Sequence, residues 1–370
     1  MKIQSIEALH LRLPRVEQKA DGTQEVLIAR VVTDDGLVGH GEAVSCSTVA
    51  RAIIEAPRSA PFRHGLGPAL IGLDPLDPAT RWRDMAEATR WYGRRGAVVH
   101  AMAAIDTALW DIVGQAQNKP CFALWGPRRE RVRAYASVLF PDTPRDAAAI
   151  AERLTGRGFT AIKFGWGRFG RDAVFDHAVL RAVRDAIGDK VDLMVDAGRV
   201  WTADEALRRA QPLFDEFGVS WLEEPLHEDD LAGYRRLAAA TRGSIAAGET
   251  EENFAHFDDL MDRGVQVIQP DVGRAGGLTV CRRLSERAAE RGRWCVPHCF
   301  GSGVNLAASI HWMIAAPEAP FVEYPFTPSP LRNELIDGIP PMRDGYVELP
   351  QGNGLGVRLN PEIVARYRVA

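Results

Sequence analysis

The runs VDLMVDAG (191–198), VSWLEEP (219–225), SIAAGE (244–249), VQVIQPD (265–271) and RWCVPH (293–298) decide the fold. Each is a short apolar stretch carrying an acid or a histidine at or near its end, and longer amphipathic segments such as 172–187, 203–217 and 278–291 stand between such runs. That alternation marks parallel strands joined by helices. Working outward, VRAYASV (132–138) and TAIKFG (160–165) precede the set, and PFVEYP (320–325) closes it. Eight strands with seven helices between them suit a barrel better than an open sheet. No connection carries a glycine-rich phosphate fingerprint, which disfavours a dinucleotide-binding sheet. Residues 129–324 are therefore expected to form an α/β barrel of the modified (β/α)7β type.

Upstream, EVLIARVVTDDGLVGHGEA (25–43) reads as two strands joined at Asp34-Asp35-Gly36, and residues 1–14 alternate like a third strand. Helices are expected at 78–88 and 95–117, the second apolar enough to be buried between two layers. Residues 1–128 thus read as an α+β unit. The Pro- and Gly-rich segment 325–370 is too irregular for another barrel unit and is expected to return to the first one.

Of the 370 residues, 46% are hydrophobic and 25% charged, which excludes a disordered or fibrous chain. A net charge of −4 provides no basic field for nucleic acid. The opening MKIQSIEALHLRLP lacks the apolar run of a signal peptide, and no stretch of about eighteen apolar residues offers a membrane span. The five cysteines are odd in number and lack CxxC spacing, so reduced thiols in the cytoplasm are expected.

Asp196, Glu223, Glu249, Asp271, His298 and Glu323 follow one another at intervals of 27, 26, 22, 27 and 25 residues, about one strand-plus-helix unit each. One polar group per unit at the carboxyl end of a strand gathers all six at the top of a barrel, where barrel enzymes keep their sites. A single acid there is more often a solvated loop residue or a helix cap. Asp196, Glu223 and Glu249, however, come from three consecutive strands and would repel one another unless a cation neutralised them. All-oxygen ligation selects a hard ion, Mg²⁺ before Mn²⁺, one per chain. Asp271 and His298 end neighbouring strands, so the carboxylate can fix the tautomer of the imidazole and leave Nε2 as a base. His100, His256 and His311 lie on helical stretches and read as structural. Lys163 places an ammonium inside the barrel, where the acids supply counter-charge.

Taken together these residues resemble the enolase superfamily and, within it, the mandelate racemase subgroup. The hairpin at the N-terminus, AIDTALWDIVGQAQNKP (104–120) and DGYVELPQGNGLGV (344–357) are similar to the capping domain of that family. The resemblance implies that Asp196 in VDAG, Glu223 in WLEEP and Glu249 in AGE hold magnesium. It further implies that Asp271 in QPDVGRAGG and His298 in VPH form a His-Asp dyad, that Glu323 hydrogen-bonds the substrate carboxylate, and that Lys163 is the first lysine of a Lys-x-Lys motif. Two departures stand out: the second lysine is Gly165, and an asparagine common two residues after the first ligand is Gly198. Residues 163 and 165 share one face of a strand, so Gly165 is expected to leave open room where a second base would stand.

With one base, the expected reaction is dehydration of a sugar acid, aldonate or aldarate, to a 2-keto-3-deoxy acid. His298 takes the α proton and returns it to the departing hydroxyl, with Glu323 as a donor if it is protonated. Alternatives are a racemase or epimerase whose second base is Tyr92, His177 or Lys163, and a non-catalytic sugar-acid binding protein. Specificity is expected from residues 15–23 and 45–47, from Tyr92 and from the loop 166–169, with Trp166, Arg168 and Arg199 touching substrate. The expected partner is a small-molecule sugar acid, with neither nucleic acid nor membrane, and the chain is expected to form a homo-oligomer.

Overall fold

The computed structural model describes residues 1–18, 21–61 and 63–369. Strands β1 (Ile3–Arg12), β2 (Glu25–Thr33) and β3 (Val38–Ala43) form an antiparallel sheet. The helix Ala97–Ala116 lies directly on β3. A β-carbon at Gly39 or Gly41 would stand 2.1 Å from the carbonyl oxygen of Ala108 or Ala104, so the two glycines of Val-Gly-His-Gly let helix and strand backbones touch. This helix has the length and composition to cross a membrane, yet 83% of that apolar window is buried in the core.

The parallel strands are β4 (Arg131–Leu139), β5 (Ala161–Gly165), β6 (Asp192–Asp196), β7 (Val219–Glu223), β8 (Ser244–Ala247), β9 (Val267–Ile268), β10 (Trp294–Cys295) and β11 (Val322–Pro325). Their order is β10-β9-β8-β7-β6-β5-β4, with β11 on the far side of β4. The helices Pro144–Gly156, Ala173–Ile187, Ala203–Phe217, Leu231–Ala240, Phe254–Asp262, Leu278–Glu290 and Gly303–Ala315 connect them, which is the (β/α)7β arrangement. Local signals start several of these helices. Asp172 accepts the Val174 and Phe175 N–H groups, and Thr202 forms a capping box with Glu205.

The barrel interior explains why the polar residues meet. Tyr135, Ala161, Met194, Trp221, Ala246, Val267, Val296 and Phe321, one from each strand or its extension, pack into a separate apolar cluster. Because side chains alternate along a strand, the next inward position is two residues on. Those positions are Ser137, Lys163, Asp196, Glu223, Gln269, His298 and Glu323, a polar layer on an apolar floor. On β8 the corresponding residue is Gly248, at φ +125, and Glu249 follows it. Among the described residues no ladder joins β10 to β11. The Cys299 N–H donates across that seam to Glu323 Oε2 at 2.6 Å.

Carboxylates of the N-terminal unit cap barrel helices. The helix Leu278–Glu290 has no side-chain cap of its own, and Asp106 accepts from the Thr279 N–H (2.9 Å) and hydroxyl (2.5 Å). Glu42 on β3 accepts from the Ser302 N–H at 2.9 Å and the Asn305 N–H at 3.1 Å, at the start of Gly303–Ala315. Asp111 takes the His40 N–H at 3.0 Å and the Leu355 N–H at 2.9 Å. The C-terminal segment bonds to both units. Leu355 and Val369 bond to Asp111 and His10, whereas Tyr346–Glu348 adds an antiparallel strand to β4.

Candidate active site

Asp196 ends β6, Glu223 ends β7, and Glu249 follows β8 and its glycine. All three are buried, and one oxygen from each lies within 4.8 Å of the others. Burial, and then the charge of Glu223, pushes the Asp196 carboxyl well above its ordinary range. Burial also raises Glu223, against the Lys163 ammonium that pulls it down. Three carboxylates this close and this dry fit a hard divalent cation. Asp196 Oδ1 accepts the Gly198 N–H at 2.8 Å, and Glu223 Oε2 accepts from Trp221 Nε1 at 3.0 Å and Gln269 Nε2 at 2.6 Å. These bonds fix both carboxylates; Asp196 Oδ2 is left for the ion, and Glu223 Oε1 is shared with Lys163.

Lys163 pairs with Glu223 Oε1 and lies 2.9 Å from Glu323 Oε1. Burial alone would lower its pKa, but the two carboxylates outweigh that and hold it well above its usual value. The ammonium is the form these partners favour. Burial would raise the Glu323 carboxyl, yet Lys163, His298, the Ser137 hydroxyl and the Cys299 N–H together hold it down at about 2. These partners favour the carboxylate form of Glu323, which accepts here, whereas the expected donor role requires the protonated form.

His298 Nδ1 sits 2.6 Å from Asp271 Oδ2, and its Nε2 faces Glu249 Oε2 at 3.3 Å. Burial pulls the imidazole down, but Glu249, the bond to Asp271 and Glu323 raise it to about 9. Asp271 is itself held on its other oxygen by the Gly273 N–H at 2.7 Å and Asn305 Nδ2 at 3.1 Å. Asn305 in turn gives its backbone N–H to Glu42. The dyad is therefore oriented by a chain of bonds that begins on β3.

These groups surround a cavity of about 330 Å³ lined by Lys163, Gly165, Trp166, Asp196, Glu249, His298 and Glu323, with Val44, Val138, Leu139 and Phe300 as apolar wall. Glu223 and Asp271 lie beneath, fully buried. Of the expected substrate contacts only Trp166 lines the cavity. Tyr92 gives its hydroxyl to the His64 carbonyl, and Arg168 is half-exposed beside Asp172 and the Phe175 ring. Arg199 is drawn to Glu224 at 3.4 Å and stacks on Trp166. Those three side chains lie off the cavity lining, as does His177, which pairs with Glu216 on the outer face. Within 15–23, Asp21 reaches the cavity, while residues 19 and 20 lie outside the described residues. His100, His256 and His311 bond to Ser45, Glu251 and the Leu355 carbonyl, away from the lining.

Gly165 does not leave open room. A β-carbon there would lie 2.8 Å from both Cβ and Oδ2 of Asp196, its register partner on β6. Gly198 has a related cause. It adopts φ +60, and an added β-carbon would stand 3.3 Å from the indole of Trp166, itself at φ +58. Ser137 and Arg274 in the lining, and Asn305 and Gln269 beneath it, carry no sequence signal.

Residues 146–363 match the family profile described as Enolase C-terminal domain-like, and residues 9–126 match Mandelate racemase / muconate lactonizing enzyme, N-terminal domain. The chain is 32% identical over 357 residues to the D-galactarolactone cycloisomerase of Agrobacterium fabrum, covering 93% of this chain and 91% of the relative. It is 29% identical over 355 residues to the arabinonate dehydratase of Saccharolobus solfataricus, covering 94% and 92%. Among solved structures, the 3,6-anhydro-D-galactonate cycloisomerase from Zobellia galactanivorans superimposes with a TM-score of 0.90 at 28% identity, over 100% of both chains.

Proposed function

The chain belongs to the enolase superfamily, in its mandelate racemase subgroup, and from that premise we propose that it is a magnesium-dependent dehydratase of a sugar acid. One observation carries the reading: among the described residues lining the cavity His298 is the one imidazole, and the side beyond Lys163 holds Gly165 and Trp166 where a second base would have to stand. A racemase or epimerase needs that second base. Tyr92 and His177 are elsewhere, and Lys163 is engaged by Glu223 and Glu323.

Asp196, Glu223 and Glu249 would hold Mg²⁺, with Mn²⁺ as a substitute, and the ion when bound supplies Lewis-acid stabilisation of negative charge on a substrate carboxylate. A cation beside Glu249 also offsets the charge that raises His298 most, so Nε2 can act unprotonated. Asp271 fixes the proton on Nδ1 and stabilises the imidazolium that forms. His298 Nε2 removes the α proton, and the C–H electron pair becomes the enediolate, whose charge Lys163 helps to balance. The imidazolium then gives its proton to the β-hydroxyl as the C–O bond breaks and water leaves. The enol tautomerises to a 2-keto-3-deoxy acid. Capping residues 1–128, barrel 129–324 and returning tail 325–370 are the division of labour this reading assumes. Five free cysteines support a reducing, cytoplasmic setting.

A library of mono- and diacid sugars, assayed for 2-keto product with and without magnesium, tests the proposal. Turnover of one or a few members to keto acid is the expected result. Exchange of the α proton with inversion, and no keto acid from any member, would replace dehydration by epimerisation.

A further inference from the structure

Asp21 precedes β2, is 6% exposed and lines the cavity. Its Oδ1 is crowded with donors: the Thr23 N–H at 3.0 Å, the Thr23 hydroxyl at 2.6 Å and Arg332 Nη2 at 3.1 Å. Its Oδ2 is equally buried and has no hydrogen-bond partner among the described residues. Arg332, 4% exposed, is itself clamped by the carbonyls of Gly301 at 3.2 Å and Thr327 at 2.5 Å. The carboxylate is thus held rigidly by one oxygen while the other waits for a donor. A buried carboxylate oxygen without a donor is costly, and a ligand that brings an O–H into the cavity removes that cost.

We propose that Asp21 Oδ2 accepts a hydrogen bond from a hydroxyl of the substrate beyond the reacting carbons, so that the substrate is an aldonate with a neutral far end. This rests on the sugar-acid reading and narrows it. An aldarate would bring a second carboxylate towards Asp21, and two like charges in a dry site repel. The cation that could receive that carboxylate is Arg274, which also lines the cavity. Arg274 directs Nε to the Val44 carbonyl at 3.2 Å and Nη1 to the Glu249 carbonyl at 3.3 Å, which ties it to the wall. Among the described residues, the lining side chains apart from Lys163, Arg274 and His298 are apolar, acidic or hydroxylic, so a far-end carboxylate finds no other charged donor among them.

The test uses the full chain with magnesium and three kinds of ligand: the aldonate that it binds most tightly, the aldarate of the same configuration, and aldonates lacking one hydroxyl beyond C3. Binding is followed by calorimetry and turnover by keto-acid formation. The aldonate should exceed the aldarate, and one of the deoxy compounds should lose about 10- to 100-fold in affinity, the range for a hydrogen bond to a charged group. Asp21→Asn should raise KM for the aldonate by a similar factor with kcat changed only a few-fold, and should flatten the loss on deoxygenation. The deoxy series on the wild-type chain needs no variant, so a variant that misfolds leaves the inference testable. An aldarate bound as well as the aldonate, or deoxy compounds that all bind undiminished, would overturn it while dehydration stands. Binding in the expected order without keto acid from any ligand would instead overturn the dehydratase reading and leave Asp21 its role.

Discussion

Gly165 and Asp196 are in register on neighbouring parallel strands, and the aspartate side chain occupies the space where a β-carbon on residue 165 would lie, 2.8 Å away. The missing second base is therefore not a hole. It is the place where the first carboxylate of the proposed metal site rests, and Trp166 then turns over Gly198 to roof it.

Gly165→Ala should accordingly displace Asp196 and cost about 1–3 kcal/mol in stability, as overpacking does. Gly165→Lys should do at least as much and restore no exchange on the opposite face. Thermal unfolding and magnesium titration read both effects. An alanine variant with unchanged unfolding and unchanged metal affinity would show that the aspartate has freedom to move.

His298→Asn should abolish dehydration and the wash-in of deuterium at the α carbon while leaving magnesium binding in place. Asp271→Asn keeps the geometry but loses the charge that supports the imidazolium, and a rate loss on the order of 10⁴ is expected by analogy with the serine protease triad. Deuterium exchange that survives in the His298 variant assigns the proton abstraction to another group.

Chelation should destabilise the chain, and more so as pH rises. The Asp196 and Glu223 carboxyls are raised in the folded state, so they favour it when protonated, and that favour is lost as pH rises through their folded values. A cation compensates only where both are ionised. Melting temperatures with and without chelator should diverge as pH increases, and a gap that stays constant with pH would count against the triad as the ion's seat.

Asp106 gives a pH effect remote from the reaction. Burial raises it from 3.8 to about 7, against the hydrogen bonds from Thr279 that favour its charge. The folded state holds more protons than the unfolded state between those values, so stability falls as pH rises from about 4 to about 7. Asp106→Asn lacks this term. Its stability relative to wild type should improve across that window by on the order of 3 kcal/mol, measured by denaturant unfolding at several pH values. A difference that does not change with pH would mean that the carboxyl titrates normally.

The barrel was legible because its signals are local. Each strand is a short apolar run, and the acids and His298 sit at or near the ends of those runs, so spacing alone placed them on one rim. The residues that sequence reading missed act across distance. Glu42 serves Ser302 and Asn305 some 260 residues later, and Arg332 holds Asp21 from 311 residues away. No periodicity encodes such pairs. Arg168, Arg199 and Tyr92 were chosen for chemistry at plausible positions, but a nearer partner, Asp172, Glu224 or the His64 carbonyl, holds each of them. Gly165 misled in the opposite way, because a glycine in a strand looks like absence although its neighbour fills it.

The carboxylate caps that β3 and the long helix Ala97–Ala116 extend to the barrel also bear on how the chain comes off the ribosome. When the first sheet and its helix have been synthesised, Glu42, Asp106 and Asp111 have none of the donors at 302, 279 and 355. They stay hydrated until most of the remaining chain has been made, so the face of the early segment that meets the barrel closes late. Docking of the N-terminal unit is thus timed by the C-terminal half, and an interrupted nascent chain would leave uncovered the side of that helix that faces the barrel, the kind of surface that chaperones hold.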